Sequence, residues 1–309
     1  MKLTTILRTH RLGKSIDGKE IVSNVNMTMK KGEIYGFLGP NGAGKTMIMK
    51  MITSLVQPTE GEIEIFGKPL HAYSNELLKR MGSIIEYPIF YEKLTAKENL
   101  ELHCEYMGFY NNKSIAEAMD MVQLVGVENK AVGQFSLGMR QRLGIARAII
   151  TKPELLLLDE PINGLDPVGI REMRNLFAML SKQYGITILI SSHILGEIEL
   201  IADTIGVINH GKLIEEISMD SLRETNMEYV EICTKDVTKA SFVLTDTMNI
   251  TNMKVAGDNL IRIYDLSIAH NDIFKALSSA DVTIDSINRK QNSLEDHFFQ
   301  ILNGGERSA

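Results

Sequence analysis

Cysteine is nearly absent: Cys104 and Cys233 are the only two in 309 residues. Two widely separated thiols offer neither a metal-ligand spacing nor a disulfide framework, and they suit a reducing compartment. Long apolar runs are missing as well. The longest are Leu155–Leu158 and Ile186–Ile190, the second broken by Thr187, whereas a membrane-spanning helix needs about 20 apolar residues. The opening stretch MKLTTILRTH has no apolar segment of signal-peptide length and no small-residue cleavage site. These absences predict a soluble, cytoplasmic chain. An excess of basic residues is also lacking. Lys and Arg number 33 against 39 Asp and Glu, which leaves −6 and argues against a primary nucleic-acid partner. With 44% hydrophobic and 23% charged residues the composition is that of an ordinary globular protein. No internal repeat is present, and at about 150 residues per domain the length predicts two domains.

What is present is an alternation of strands and helices. Ile34–Leu38 reads as a buried strand, followed by a glycine-rich loop and a helix from Lys45 to Ser54. Pro58–Gly61 is a turn before a short strand Glu62–Ile65, and another short strand is predicted at Ser83–Ile85. From Thr95 to Gly126 the pattern is helical, with Leu100, Met107, Ala118 and Val122 on an apolar face. A helix opening at Gln134–Ser136 reaches Ile150. The apolar strand Leu155–Leu158 then ends in Asp159-Glu160-Pro161. A helix Val168–Tyr184 and a strand Thr187–Ser191 complete the series. This order predicts an α/β domain with a mainly parallel sheet over residues 1–219. Beyond Asp220 the texture changes. Strands at Tyr229–Ile232 and Leu260–Tyr264, with helices at Asn271–Ser279 and Ser293–Leu302, predict a small α+β domain over 220–309.

The chemistry begins at Gly39-Pro40-Asn41-Gly42-Ala43-Gly44-Lys45-Thr46, which fits G-x-x-x-x-G-K-[ST]. The glycines let the loop wrap a phosphate with its backbone N–H groups turned inward, and the following helix adds its positive end. Lys45 neutralises the β- and γ-phosphates of a bound nucleotide, and the Thr46 hydroxyl ligates Mg²⁺. The strand before Asp159 and Glu160 delivers two carboxylates at its C-terminal end, where ligands of α/β sheets bind. Asp159 is expected to hold Mg²⁺ through water, and Glu160 to act as general base on the attacking water.

Ser136-Leu137-Gly138-Met139-Arg140-Gln141-Arg142 resembles the signature segment of ATP-binding-cassette (ABC) ATPases, usually written L-S-G-G-Q. Ser136 precedes Asp159 by 23 residues, as that family requires. Phe135 replaces the first Leu, Leu137 the first Gly and Met139 the Gln, while Ser136 and Gly138 remain. A hydroxyl and a glycine N–H at a helix start suit a γ-phosphate, and Ser136 suits a helix cap as well. Asn163-Gly164-Leu165-Asp166 resembles the family's D-loop, and His193, after the strand Thr187–Ser191, its switch histidine. The resemblance implies a P-loop NTPase fold with a helical subdomain over about 87–150. It also implies ATP and Mg²⁺ as ligands, and a head-to-tail homodimer in which Ser136, Gly138 and Asp166 address the partner's nucleotide.

Glu86 occupies the place of the glutamine that usually closes the Q-loop, where the resemblance implies a residue reaching Mg²⁺ and the attacking water. A carboxylate there adds charge and donates no hydrogen bond when ionised. Glu86-Tyr87-Pro88 and Phe135-Ser136-Leu137-Gly138-Met139 are similar to the ATPase subunits of bacitracin-export and lantibiotic-immunity transporters. Ile16 stands where the family usually stacks an aromatic ring on adenine, which leaves the choice between ATP and GTP open. The segment Ser293–Phe299 resembles the end of an accessory domain on exporter ATPases. Taken together, the resemblance implies the ATPase subunit of an ABC exporter at the cytoplasmic face of the membrane. It would drive separate transmembrane permease subunits through the surface around Tyr87–Lys93. Exporters of other drugs, lipids or ions, and importers, stay open as alternatives. Chromosome-maintenance relatives, which insert a long coiled coil between the two nucleotide motifs, do not fit the 91 residues from Lys45 to Ser136.

Overall fold

The computed structural model describes residues 4–71, 74–109, 111–221, 228–257, 259–265 and 267–291. The predicted helix Ser293–Leu302 and the segment Ser293–Phe299 lie outside the described residues. The chain divides into two compact units, Met1–Met219 and Asp220–Ala309.

The first unit holds two sheets. Its antiparallel sheet comprises β1 (Thr5–Ile16), β2 (Lys19–Val25), β3 (Thr28–Lys30), β5 (Glu60–Ile65) and β6 (Lys68–Pro69), in the order β2-β1-β5-β6 with β3 also on β1. Only β5 is visible in the sequence pattern. The register of β1 slips between Leu12 and Lys14 and again between His10 and Gly13, and Arg11 has φ 46°. Bulges of this kind break the two-residue alternation by which a half-buried strand is recognised.

The second sheet is six-stranded. β4 (Ile34–Leu38), β7 (Met81–Ile84), β8 (Leu155–Leu158), β9 (Thr187–Ser192), β10 (Thr204–Asn209) and β11 (Lys212–Ser218) follow the order β11-β10-β4-β9-β8-β7. All neighbours run parallel except β10 and β11. β4, β8 and β9 are buried along their whole length, which is why they read as unbroken apolar runs. Registers of Leu38 with Ser192, Leu158 with Ile190 and Ile84 with Leu158 bring the C-terminal ends of four strands to one edge. The main core lies under that edge. Ile48, Met49, Met51 and Ile52 of α1 (Lys45–Ile52) join Leu7, Leu12 and Met29 of the antiparallel sheet and Tyr35, Phe37, Leu155 and Leu189 of the parallel one. At about 1.5–3 kcal/mol for each large apolar side chain buried, this cluster anchors α1 against both sheets.

The short α2 (Asn75–Leu78) precedes β7, and α3 (Ala96–Met107), α4 (Asn112–Met121) and α5 (Leu137–Ile149) pack on one another. A reciprocal capping box opens α3. The Glu98 N–H donates to Thr95 Oγ1 at 3.2 Å, and the Thr95 N–H donates to Glu98 Oε2 at 2.7 Å. Gly108, at φ 63°, ends the helix, so the helical stretch predicted from Thr95 is split in two. α6 (Pro167–Lys182) starts from Asp166 with proline at its first position, and α7 (Leu195–Glu199) follows β9.

The second unit is β12 (Glu228–Cys233), α8 (Val237–Asp246), β13 (Met253–Val255), β14 (Leu260–Ile263), α9 (His270–Ser279) and β15 (Ser286–Gln291). The strand order is β13-β14-β12-β15 and every pair is antiparallel, the split βαβ arrangement. Val230, Ile232, Ile261 and Ile263 of the sheet meet Val243, Leu244, Ile273 and Leu277 of the helices. The sequence pattern does not disclose α8, because Val237, Thr238, Val243 and Thr245 are β-branched and weigh against helix locally. Packing onto the sheet overrides that preference.

His103, on α3, is the titratable group that burial perturbs most informatively. Desolvation, helped by the Arg147 charge, pulls its pKa from 6.5 to about 4. The folded chain therefore holds this proton less tightly than the unfolded chain does, and stability is lost as the pH falls from 6.5 towards 4. The melting temperature is expected to drop over that interval, and to drop less in His103→Gln. Equal drops in the two proteins would contradict the assignment.

Candidate active site

The glycine-rich loop leaves β4 and enters α1 under tight steric constraint. A Cβ on Gly39 would lie 2.3 Å from the Ile208 carbonyl oxygen of β10. Gly42 and Gly44 have φ of 81° and 105°, a region open to glycine. The loop is braced from outside: the Gly211 N–H donates to the Ala43 carbonyl at 2.9 Å, and Gly44 sits against Val22 of β2. Lys45, only 5% exposed, turns its ammonium back into the loop. It donates to the Gly39 carbonyl at 2.6 Å and the Pro40 carbonyl at 3.3 Å, and lies 3.2 Å from Glu160 Oε1.

Two acids meet this loop from the end of β8. Asp159 is buried and accepts from the Thr46 hydroxyl at 2.7 Å and from the Ser191 hydroxyl at 2.5 Å. The same Ser191 oxygen accepts the Glu160 N–H at 2.9 Å. Ser191 thus fixes both acids from β9, a role the sequence reading did not assign. The sequence shows only a serine after the apolar run Ile188-Leu189-Ile190; that its hydroxyl is buried and needs partners appears with the fold. Glu160 has φ 48°, a conformation a non-glycine residue keeps only where its surroundings over-determine it. Its Oε2 lies 2.9 Å from His193 Nδ1, while Oε1, buried and 3.2 Å from Lys45, has no aligned hydrogen-bond donor.

Lys45, Thr46, Asp159, Glu160 and His193 are therefore gathered at one sheet edge. Ser136 and Asp166 serve as helix caps, accepting the N–H groups of Met139 at 3.3 Å and Gly169 at 2.8 Å. Each keeps acceptor capacity, and the Ser136 hydroxyl keeps its proton for another acceptor. Their two segments interlock. Leu137 Cδ2 lies 2.9 Å from the position of a Cβ on Gly164, and Leu165 Cδ2 lies 3.6 Å from that on Gly138. Glu86, just past β7 and with φ 64°, gives its carboxylate to Lys50 Nζ at 2.6 Å. Ile16 ends β1 and is 42% exposed, on the hairpin whose second strand packs against Gly44.

The donor set fits a magnesium nucleotide. The inward-facing glycine loop, the buried ammonium held by two carbonyls, the Thr46–Asp159 contact and the unsatisfied Glu160 oxygen all meet at one place. Among the described residues no group of three His, Cys, Asp or Glu forms a metal cage. Mg²⁺ asks for less, one or two carboxylates completed by substrate phosphates.

A phosphate loop after the central strand of a parallel sheet, with acids from a neighbouring strand, defines a P-loop nucleotide hydrolase of the α/β class. The profile of the ABC transporter family matches residues 22–163. The chain is 59% identical over 307 residues to the uncharacterized ABC transporter ATP-binding protein YcbN of Bacillus subtilis strain 168, covering 99% of this chain and 100% of that one. It is 44% identical over 303 residues to the bacitracin transport ATP-binding protein BcrA of Bacillus licheniformis, covering 98% and 99%. To the lantibiotic transport ATP-binding protein SrtF of Streptococcus pyogenes it is 45% identical over 215 residues, 70% of this chain and 92% of that. The dimeric, post-hydrolysis ATP-binding cassette MJ0796, bound to ADP and Pi, superimposes with a TM-score of 0.62 at 27% identity, over 69% of this chain and 99% of its own. The chain belongs to the ATP-binding subunits of ABC transporters and is an ATPase.

The Gly39 contact yields a test. Gly39→Ala forces the loop off the Ile208 carbonyl and is expected to destabilise the fold by about 1–3 kcal/mol and to abolish nucleotide binding. Adding Ile208→Ala removes the side-chain Cγ2, 2.7 Å from the added Cβ, but is expected to give no rescue, because the closer clash is with the backbone carbonyl. Thermal melts and nucleotide titrations read both outcomes, and wild-type affinity in Gly39→Ala would refute the steric account.

Proposed function

We propose that two copies of this chain bind two ATP molecules head to tail and drive separate permease subunits that export a peptide antibiotic of the bacitracin or lantibiotic type. The phosphate loop of one copy faces Ser136, Gly138 and Asp166 of the other, so nucleotide favours the closed pair and hydrolysis the open one. The observation that carries this reading is the convergence of Lys45, Thr46, Asp159, Glu160 and His193 at one sheet edge. The peptide cargo is supported by the full-length similarity to BcrA.

In hydrolysis, the loop N–H groups and Lys45 hold the β- and γ-phosphates, the ammonium exchanging the Gly39 and Pro40 carbonyls for phosphate oxygens. Glu160 accepts a proton from water as its oxygen adds to the γ-phosphorus and the bond to the bridging oxygen breaks, leaving ADP and phosphate. His193 holds the Glu160 carboxylate and faces the γ-phosphate. Ser191 keeps Asp159 and Glu160 in register. Thr46 and Asp159 would hold Mg²⁺, which would supply neutralising charge at the phosphates. Ile16 covers the base.

No helix among the described residues is long and apolar enough to cross a membrane. The permease contact falls on the surface around Tyr87–Lys93, where Tyr87, Ile89 and Tyr91 are 71%, 82% and 59% exposed. Large side chains so exposed, at alternate positions of one short segment, favour a covered surface in the working assembly. The second unit is an accessory domain to this motor.

Lys45→Ala is expected to abolish nucleotide binding. Glu160→Gln is expected to keep binding, slow hydrolysis by about 10²–10⁴-fold, and accumulate an ATP-dependent dimer on gel filtration. In cells carrying the neighbouring membrane proteins, wild type should protect against bacitracin or a lantibiotic and Glu160→Gln should not. Intact ATPase activity without protection from either protein would refute the peptide cargo alone.

A further inference from the structure

α1 meets three acids with three side chains. Lys45 lies 3.2 Å from Glu160, the Thr46 hydroxyl donates to Asp159 at 2.7 Å, and Lys50 pairs with Glu86 at 2.6 Å. The acids come from adjacent strand ends. β7 and β8 align Ile84 with Leu158, and the Asp159 N–H donates to the Ile84 carbonyl at 2.9 Å. Glu86 therefore stands two residues beyond Ile84, as Glu160 stands two residues beyond Leu158 on the neighbouring strand. Thr46 and Lys50 are four residues apart and share one face of α1.

A third carboxylate at this edge is a liability for a site that must accept a polyphosphate. Like charges a few ångströms apart oppose binding unless each is compensated. Lys50 and Glu86 keep 29% and 59% of their side-chain surface exposed, so the pair adds little to fold stability. Its consequence is positional. Glu86 has φ 64°, and the ammonium of Lys50 is the polar anchor of its carboxylate.

We propose that Lys50 is a positioning residue for Glu86. It holds the carboxylate on the second turn of α1 and neutralises it there, so that the acid at the end of β7 does not oppose the incoming di- or triphosphate. The inference rests on the nucleotide-hydrolysis reading of the site and adds a residue which that reading does not use.

The test is a double-mutant cycle read by binding rather than turnover. A fluorescent ADP is titrated in the presence of EDTA, and again with Mg²⁺, into wild type, Lys50→Met, Glu86→Gln, the double variant and Lys50→Arg. Lys50→Met is expected to weaken metal-free binding about fivefold and Lys50→Arg to stay near wild type. In EDTA, Glu86→Gln is expected to restore affinity in the Lys50→Met background and to have a smaller effect in the wild-type background. With Mg²⁺ the Lys50→Met defect should shrink as the cation compensates the freed carboxylate. Equal effects of Glu86→Gln in both backgrounds would mean two independent charges and would overturn the proposal. Lys45→Ala separates the two levels of argument. Lost binding there with an additive Lys50/Glu86 cycle sinks only this inference, whereas unaltered binding in Lys45→Ala sinks the site reading and this inference together.

Discussion

The buried ammonium of Lys45 is the charge around which the catalytic unit is organised. A group that is 5% exposed is tolerable only with full compensation, supplied by the Gly39 carbonyl at 2.6 Å, the Pro40 carbonyl at 3.3 Å and Glu160 at 3.2 Å. Each partner depends on a different part of the fold. The carbonyls turn inward because Gly39 is pressed against Ile208 of β10 and because Gly42 and Gly44 adopt left-handed backbone. Glu160 reaches the loop because β8 is two strands from β4 and ends two residues short of it, which brings Glu160 level with Leu38. In the hydrolysis proposed above, a nucleotide phosphate takes the place of these contacts on Lys45 and leaves Glu160 to water.

That release matters beyond the phosphate loop, because Glu160 is tied to the segments proposed to address a second copy. The Asn163 N–H donates to the Glu160 carbonyl at 3.1 Å, and the following Gly164 and Leu165 interlock with Leu137 and Gly138. The helix cap that would meet the partner's nucleotide and the acid that would activate water on this chain's own nucleotide thus lie on two short segments packed against each other. On the other side of Glu160, His193 begins the stretch leading to α7, where Glu197 pairs with Arg174 of α6 at 2.8 Å. Both routes end on α6, whose cap is Asp166. A rearrangement at either nucleotide therefore meets a rigid helix rather than a free loop.

The legible part of this arrangement was the part where a local pattern encodes backbone geometry. Gly39–Thr46 specifies a loop that only glycines permit, and Leu155–Leu158 specifies a strand buried on both faces. The spacing from Ser136 to Asp159 carries the distance between two elements of a known family. Ser191 and Lys50 were not legible, because their roles exist only once β9 and α1 stand beside β8 and β7. The strand β1 escaped notice for a different reason, since its slipped register scrambles the alternation of Leu7, His10, Leu12 and Lys14. In the second unit, α8 carries β-branched residues that argue for a strand, and only its packing against Val230, Ile232, Ile261 and Ile263 decides for a helix.

The departures from the family pattern do not stand alone in the structure. Leu137 occupies a position where the signature segment usually has glycine, and the residue facing it, Gly164, has no side chain; a Cβ there would come within 2.9 Å of the leucine. Glu86 occupies the place of a glutamine, and Lys50 stands 2.6 Å from its carboxylate. In the first case the larger side chain faces a residue that has none, and in the second an added negative charge is matched by a positive one from the helix that carries Lys45 and Thr46. A site built on close packing and buried charge leaves little room for uncompensated change. A substitution within its motifs is therefore best understood together with the side chain that touches it.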